Sequence, residues 1–189
     1  MNVTYATPPG GLPSQSDKMT GRAIFKESYA FMPAGVMRDI VTSNLPHWEN
    51  TRAWIIARPM TGFVETFAQY IVEVGTAGGS DNPEPDPHAE AVLFVVAGQG
   101  KLTIDGQNHA IKEGGYAYIP PSAKWSIKNQ SDTTLTFHWI RKRYDAVEGI
   151  DTPTPFFTNE QDVAPNTMAN TDDWSTTRFV EPDDLRHDM

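Results

Sequence analysis

Four ligand-type side chains recur at every second residue of one short stretch: Glu84, Asp86, His88 and Glu90. In an extended chain that spacing turns all four to one face. Carboxylates with an imidazole are a donor set for a divalent cation. The intervening residues argue the other way. Pro83, Pro85 and Pro87 separate the acidic positions, and a proline-punctuated acidic run reads as a solvated loop. The four stand only as weak metal candidates. A second group is aromatic: Tyr116, Tyr118, Trp125, Phe137 and Trp139 alternate with their neighbours. Rings at that period either fill the interior of a small barrel or line a pocket in it, and core packing is the preferred reading. Tyr118, Trp125 and His138, the last between Phe137 and Trp139, are the pocket-lining candidates. His47 neighbours Trp48 in a loop, His109 reads as a solvent-facing position of a return strand, and His187 lies two residues before Met189; none is a site candidate. No Ser/His/Asp spacing stands out. The glycines from Gly75 to Gly79 are followed by prolines rather than a helix, so they are not a phosphate loop. No catalytic or cofactor-binding residue is assigned.

The elements that must position these groups are strands. Residues 22–32 read as a strand or strand-like arm and 36–41 as a short second strand, while 51–58 and 63–74 are longer strands, the second alternating for most of its length. Residues 91–96 are continuously apolar, as in a strand covered on both faces. Shorter runs at 101–104, 107–111, 116–119, 124–129 and 133–142 are separated by turn residues, Asp105-Gly106 being a hairpin signal. Residues 75–87 are expected to be neither helix nor ladder, because glycine and proline dominate them. Many short strands with frequent turns indicate an all-β barrel or sandwich. Residues 1–21 read as an extended N-terminal arm and 22–144 as the barrel. Residues 145–173 read as a linker, and 174–189 as the start of a second barrel that is not present.

Composition excludes several classes. The 189 residues hold no cysteine, so disulfides, thiolate metal sites and a cysteine nucleophile are ruled out. Fifteen Lys and Arg stand against 24 Asp and Glu, a net charge of −9. No basic footprint for nucleic acid is visible. The N-terminus has no basic start followed by an apolar run, and no apolar stretch approaches the ~20 residues of a membrane span. A cytoplasmic protein is expected.

Two motifs then carry a resemblance. Val92-Leu-Phe-Val-Val-Ala-Gly98, followed by Glu113-Gly-Gly-Tyr-Ala-Tyr-Ile-Pro-Pro121 and the run to Asn129, resembles the two motifs of a cupin. That implies a double-stranded β-helix, or jelly-roll barrel. Metal-binding cupins take two histidines and a glutamate from the first motif and a histidine from the second. Those positions fall here at Glu84, Asp86, Ala91 and Trp125, and none matches. With Glu90 eight residues before Gly98, Arg141-Lys-Arg-Tyr-Asp-Ala-Val-Glu-Gly149 and Thr176-Thr-Arg-Phe-Val-Glu-Pro-Asp-Asp-Leu-Arg-His-Asp-Met189, the chain resembles the N-terminal half of the (S)-ureidoglycine aminohydrolase, or glyoxylate-induced protein, family. The resemblance implies a bicupin of allantoin and purine catabolism that hydrolyses ureidoglycine to ureidoglycolate and ammonia. Its manganese would sit in the second cupin, with none expected in this chain. The implied partner is the second cupin domain or, through an exposed apolar face, a homo-oligomer. The runner-up reading is a metal-free small-molecule-binding or structural cupin.

Overall fold

The computed structural model describes residues 24–25, 29–32, 44–58, 66–167, 171, 173–181 and 183–189. The expected N-terminal arm (1–21) and the short strand expected at 36–41 lie outside the described residues. So does part of the strand expected at 22–32, where only β1 (Ile24–Phe25) and β2 (Ala30–Phe31) are described, paired antiparallel.

The body is a nine-stranded antiparallel sheet that curls into a nearly closed barrel. Its strands are β3 (Glu49–Ala57), β4 (Phe67–Ser80), β5 (Ala89–Ala97), β6 (Gln99–Ile104), β7 (Gln107–Lys112), β8 (Gly115–Ile119), β9 (Trp125–Lys128), β10 (Leu135–Arg143) and β11 (Phe156–Asn159). The order is β11-β8-β5-β10-β4-β9-β6-β7, with β3 also on β4. The fold is all-β and cupin-like. Among the described residues the helical content is one 3-10 turn, Glu160–Asp162, and no helix is long and apolar enough to cross a membrane.

Strand parity sorts the side chains. Ala91, Leu93 and Val95 of β5, Ala117 and Ile119 of β8, Val72 and Val74 of β4, and Phe137 and Trp139 of β10 form the interior cluster, closed by Trp125 and Ile127 of β9. Their alternate neighbours Glu90, Val92, Tyr116, Tyr118 and His138 lie on the outer face, in the registers Val92↔Tyr118 and His138↔Phe94.

The ladder continues where none was expected. β4 runs through Gly75, Gly78 and Gly79 and pairs Gly79 with Lys128. Glycine is what permits it. A Cβ on Gly79 would lie 2.0 Å from the Ile127 carbonyl oxygen, and one on Gly78 2.8 Å from the Asn50 carbonyl oxygen. The backbones approach too closely for a side chain, so these residues extend the sheet rather than end it.

Residues 145–173, read as a linker, contribute β11, which adds to the barrel beside β8. Farther on, β12 (Asn166–Thr167) pairs with β13 (Ser175–Thr176). Phe179, His187 and Asp188 fold back over the outer face of β5, β8 and β10. Phe179 stacks on Tyr116 with ring centroids 4.2 Å apart, and His187 meets Tyr118 edge-on at 4.5 Å. Lys142 Nζ reaches Asp188 Oδ1 at 2.5 Å.

Candidate functional site

The mouth of the barrel is where interior strands end in polar side chains. Arg141 follows Phe137 and Trp139 at the same parity on β10, opposite Ala91 of β5, so it points inward at the rim. Its Nε and Nη2 donate to Glu84 Oε2 at 2.5 Å and Oε1 at 2.8 Å. Glu84 also accepts from the Asp86 backbone N–H at 3.0 Å. Burial works against the Arg141 charge, but the Glu84 hydrogen bonds and the Tyr70 hydroxyl outweigh it and raise its pKa.

Two cavities flank this ion pair. The larger, about 340 Å³, is bounded by the 81–87 loop, Ala89, Ala91, Ile119, Lys124 and Trp125. The smaller, about 170 Å³, is walled by Leu45, Trp48, Tyr70, Pro83 and Trp139 and closed by Arg141. Glu84 and Pro85 line both, so the loop stands between them. The indoles are packed together: Trp139 lies 5.8 Å from Trp48 and 5.8 Å from Trp125 between ring centroids, and 5.3 Å from Tyr70. The Trp139 Nε1 is buried and has no hydrogen-bond partner.

The four residues weighed as metal ligands are not brought together. Glu84 is committed to Arg141. Asp86 Oδ1 accepts from the His88 backbone N–H, a short-range loop cap. Glu90 is buried on the opposite face of β5 and accepts from the Tyr118 hydroxyl at 2.7 Å. Among the described residues no three His, Asp or Glu side chains converge on one point. Manganese, which the family resemblance implies for a second barrel, does not fit this one. Of the positions that the resemblance assigns to metal ligands, Ala91 offers no donor atom and Trp125 is packed into the core.

Of the pocket-lining candidates, Trp125 lines the larger cavity. Tyr118 and His138 face outward. Tyr118 lies under Phe156 and His187, and His138 Nδ1 meets Gln69 Nε2 at 3.3 Å. The reason is parity: with Ala117, Phe137 and Trp139 inside, their immediate neighbours cannot be. Arg141 is the rim residue that sequence reasoning missed, and the same period-two count from Trp139 would have found it.

The outer face holds a second buried polar cluster. Burial raises the pKa of Glu90, against the Tyr118 hydrogen bond that lowers it. Burial and the Glu90 carboxylate push the Tyr118 phenol up, and burial pushes Tyr116 up to about 12. Burial lowers both His138 and His187.

A family model described as a cupin domain matches residues 70–141, from mid-β4 into β10. A solved Pseudomonas aeruginosa structure described as a glyoxylate-induced protein is 55% identical, with TM-score 0.82, over 99% of this chain and 68% of that one. The Escherichia coli protein Ylba is 27% identical, with TM-score 0.69, over 80% of this chain and 61% of that one. The (S)-ureidoglycine aminohydrolase of E. coli is 29% identical over 137 residues, 71% of this chain. The chain spans about half the length of the curated relatives it matches, 50% and 45% for two ureidoglycine aminohydrolases. With its barrel, its two motifs and this identity across nearly its whole length, the chain belongs to the cupin family of the glyoxylate-induced protein and (S)-ureidoglycine aminohydrolase.

Proposed function

We propose that this chain is the metal-free N-terminal cupin of an (S)-ureidoglycine aminohydrolase-family protein of purine catabolism in the cytoplasm. Its barrel carries and stabilises a second, manganese-binding barrel, in which ureidoglycine is hydrolysed to ureidoglycolate and ammonia. By itself the chain is silent in that reaction. The observation that supports this reading is the barrel interior. At the positions that the resemblance assigns to a metallo-cupin's ligands stand a buried alanine, a buried tryptophan, the Glu84 carboxylate paired with Arg141, and Asp86, whose Oδ1 accepts from the His88 backbone N–H. A second reading, a metal-free binding cupin, is favoured by the cavity beside Trp125.

The test is metal analysis of the purified chain, with ammonia release from freshly generated ureidoglycine assayed on the same sample with added manganese. The expected result is neither bound metal nor ammonia, and His88→Ala changes neither readout. Stoichiometric metal with turnover overturns the proposal.

A further inference from the structure

The Arg141–Glu84 pair partitions the mouth of the barrel, and its parts are unequally satisfied. Guanidinium carries five N–H donors in a planar fork that matches a carboxylate. Glu84 takes two of them, from the proline-punctuated loop. Trp139 lines the same cavity as Arg141, its indole N–H has nothing to donate to, and the residue is 4% exposed. An unmatched buried donor is uncommon and calls for an acceptor. Trp48 and the ring of Tyr70, whose hydroxyl also meets Arg141, wall the adjoining cavity. The rim thus combines a carboxylate-shaped fork, an unmatched indole N–H and room on both sides. The one carboxylate in place belongs to the chain.

We propose that the barrel mouth is a binding site for small organic carboxylates, with Glu84 as the built-in occupant that a ligand displaces. The incoming carboxylate takes the Arg141 fork and accepts from Trp139 Nε1, while its organic part lies against Trp48 and Tyr70. Charge at Arg141 is unchanged by the exchange. The released Glu84 joins Asp81 and Asp86 at the rim of the larger cavity, so the exchange gathers like charges there, and wild-type affinity is weak. Removing the Glu84 charge lifts both the competition and the repulsion. The site does not depend on ammonia-releasing activity anywhere in the protein.

The test titrates the full chain with sodium acetate and sodium malonate, at an ionic strength held constant with sodium chloride. Tryptophan fluorescence is the readout. Glu84→Gln should bind roughly tenfold more tightly than the parent, or saturate where the parent does not; a factor of ten corresponds to about 1.4 kcal/mol. Arg141→Gln should show no saturable change. In the Glu84→Gln background, Arg141→Lys keeps the charge without the fork and should weaken binding by a similar factor, so the test survives if Arg141→Gln fails to fold. Trp139→Phe should weaken Glu84→Gln. Glu84→Gln binding carboxylates no more tightly than the parent, or the Glu84→Gln, Arg141→Lys double variant binding as well as Glu84→Gln, overturns the proposal.

Discussion

Glu90 carries a carboxyl group into the covered outer face of β5, where Tyr118 is the hydrogen-bond donor the structure gives it and its Oε1 has no partner. Burial disfavours the charged form, so its folded pKa stands above the ordinary value of 4.5. The sign of the linkage follows. Stability from the protonated group is complete below pH 4.5 and is lost as pH rises through the raised folded value. Glu90→Gln should therefore flatten the dependence of melting temperature on pH between acid and neutral solution. Parallel curves for variant and parent would refute the assignment. Tyr118→Phe removes the donor and should cost about 1–3 kcal/mol in urea unfolding at neutral pH. Sequence reasoning placed Tyr118 and His138 at a pocket and Glu90 beside His88. Period two separates two faces correctly, but it cannot say which face is the interior when both are apolar. Here Val92 and Phe94 on the outer face look as buried-strand-like as Leu93 and Val95 inside.

At the scale of elements, two glycines with positive φ separate backbone strain from steric exclusion. Gly98, at φ 78°, would place a Cβ 2.2 Å from the Thr134 carbonyl oxygen. Gly106, at φ 82° in the β6–β7 hairpin, has nothing within 4 Å. Gly106→Ala should cost on the order of 1 kcal/mol for the left-handed conformation alone. Gly98→Ala adds the clash with the Thr134 carbonyl oxygen and should cost roughly 3 kcal/mol or more. Equal losses on denaturant unfolding would show that strand spacing there can relax. Most strands were legible because alternation and turn residues agree, as with Asp105-Gly106 between β6 and β7. The far half of β4 was not. Glycine is a poor strand former in isolation, and its use here, letting Ile127 and Asn50 approach, depends on partners distant in sequence. The same limit hid the Glu84–Arg141 pair, whose members are 57 residues apart.

The whole molecule is held together by its late residues as much as by its barrel. Lys142 binds Asp188 through both side chain and backbone carbonyl, and Asp188 Oδ2 accepts from the Asp145 backbone N–H at 3.0 Å. Asp188→Ala removes that acceptor and the ion pair, and should raise hydrogen exchange at the Asp145 amide roughly tenfold. Unchanged exchange would mean that the aromatic contacts of Phe179 and His187 hold the segment without it. These long-range contacts also set a timetable. Residues 179, 187 and 188 cover side chains at 94, 116, 118 and 142. Phe94 and Tyr116 therefore wait for Phe179 to be made before they are shielded. Contacts between such distant parts of a chain form slowly, and apolar surface exposed in the interval attracts other chains. A ribosome paused before residue 179 emerges from the exit tunnel would hold a barrel that is paired but still adhesive on one side, so the yield of soluble protein should depend on how quickly Phe179, His187 and Asp188 follow.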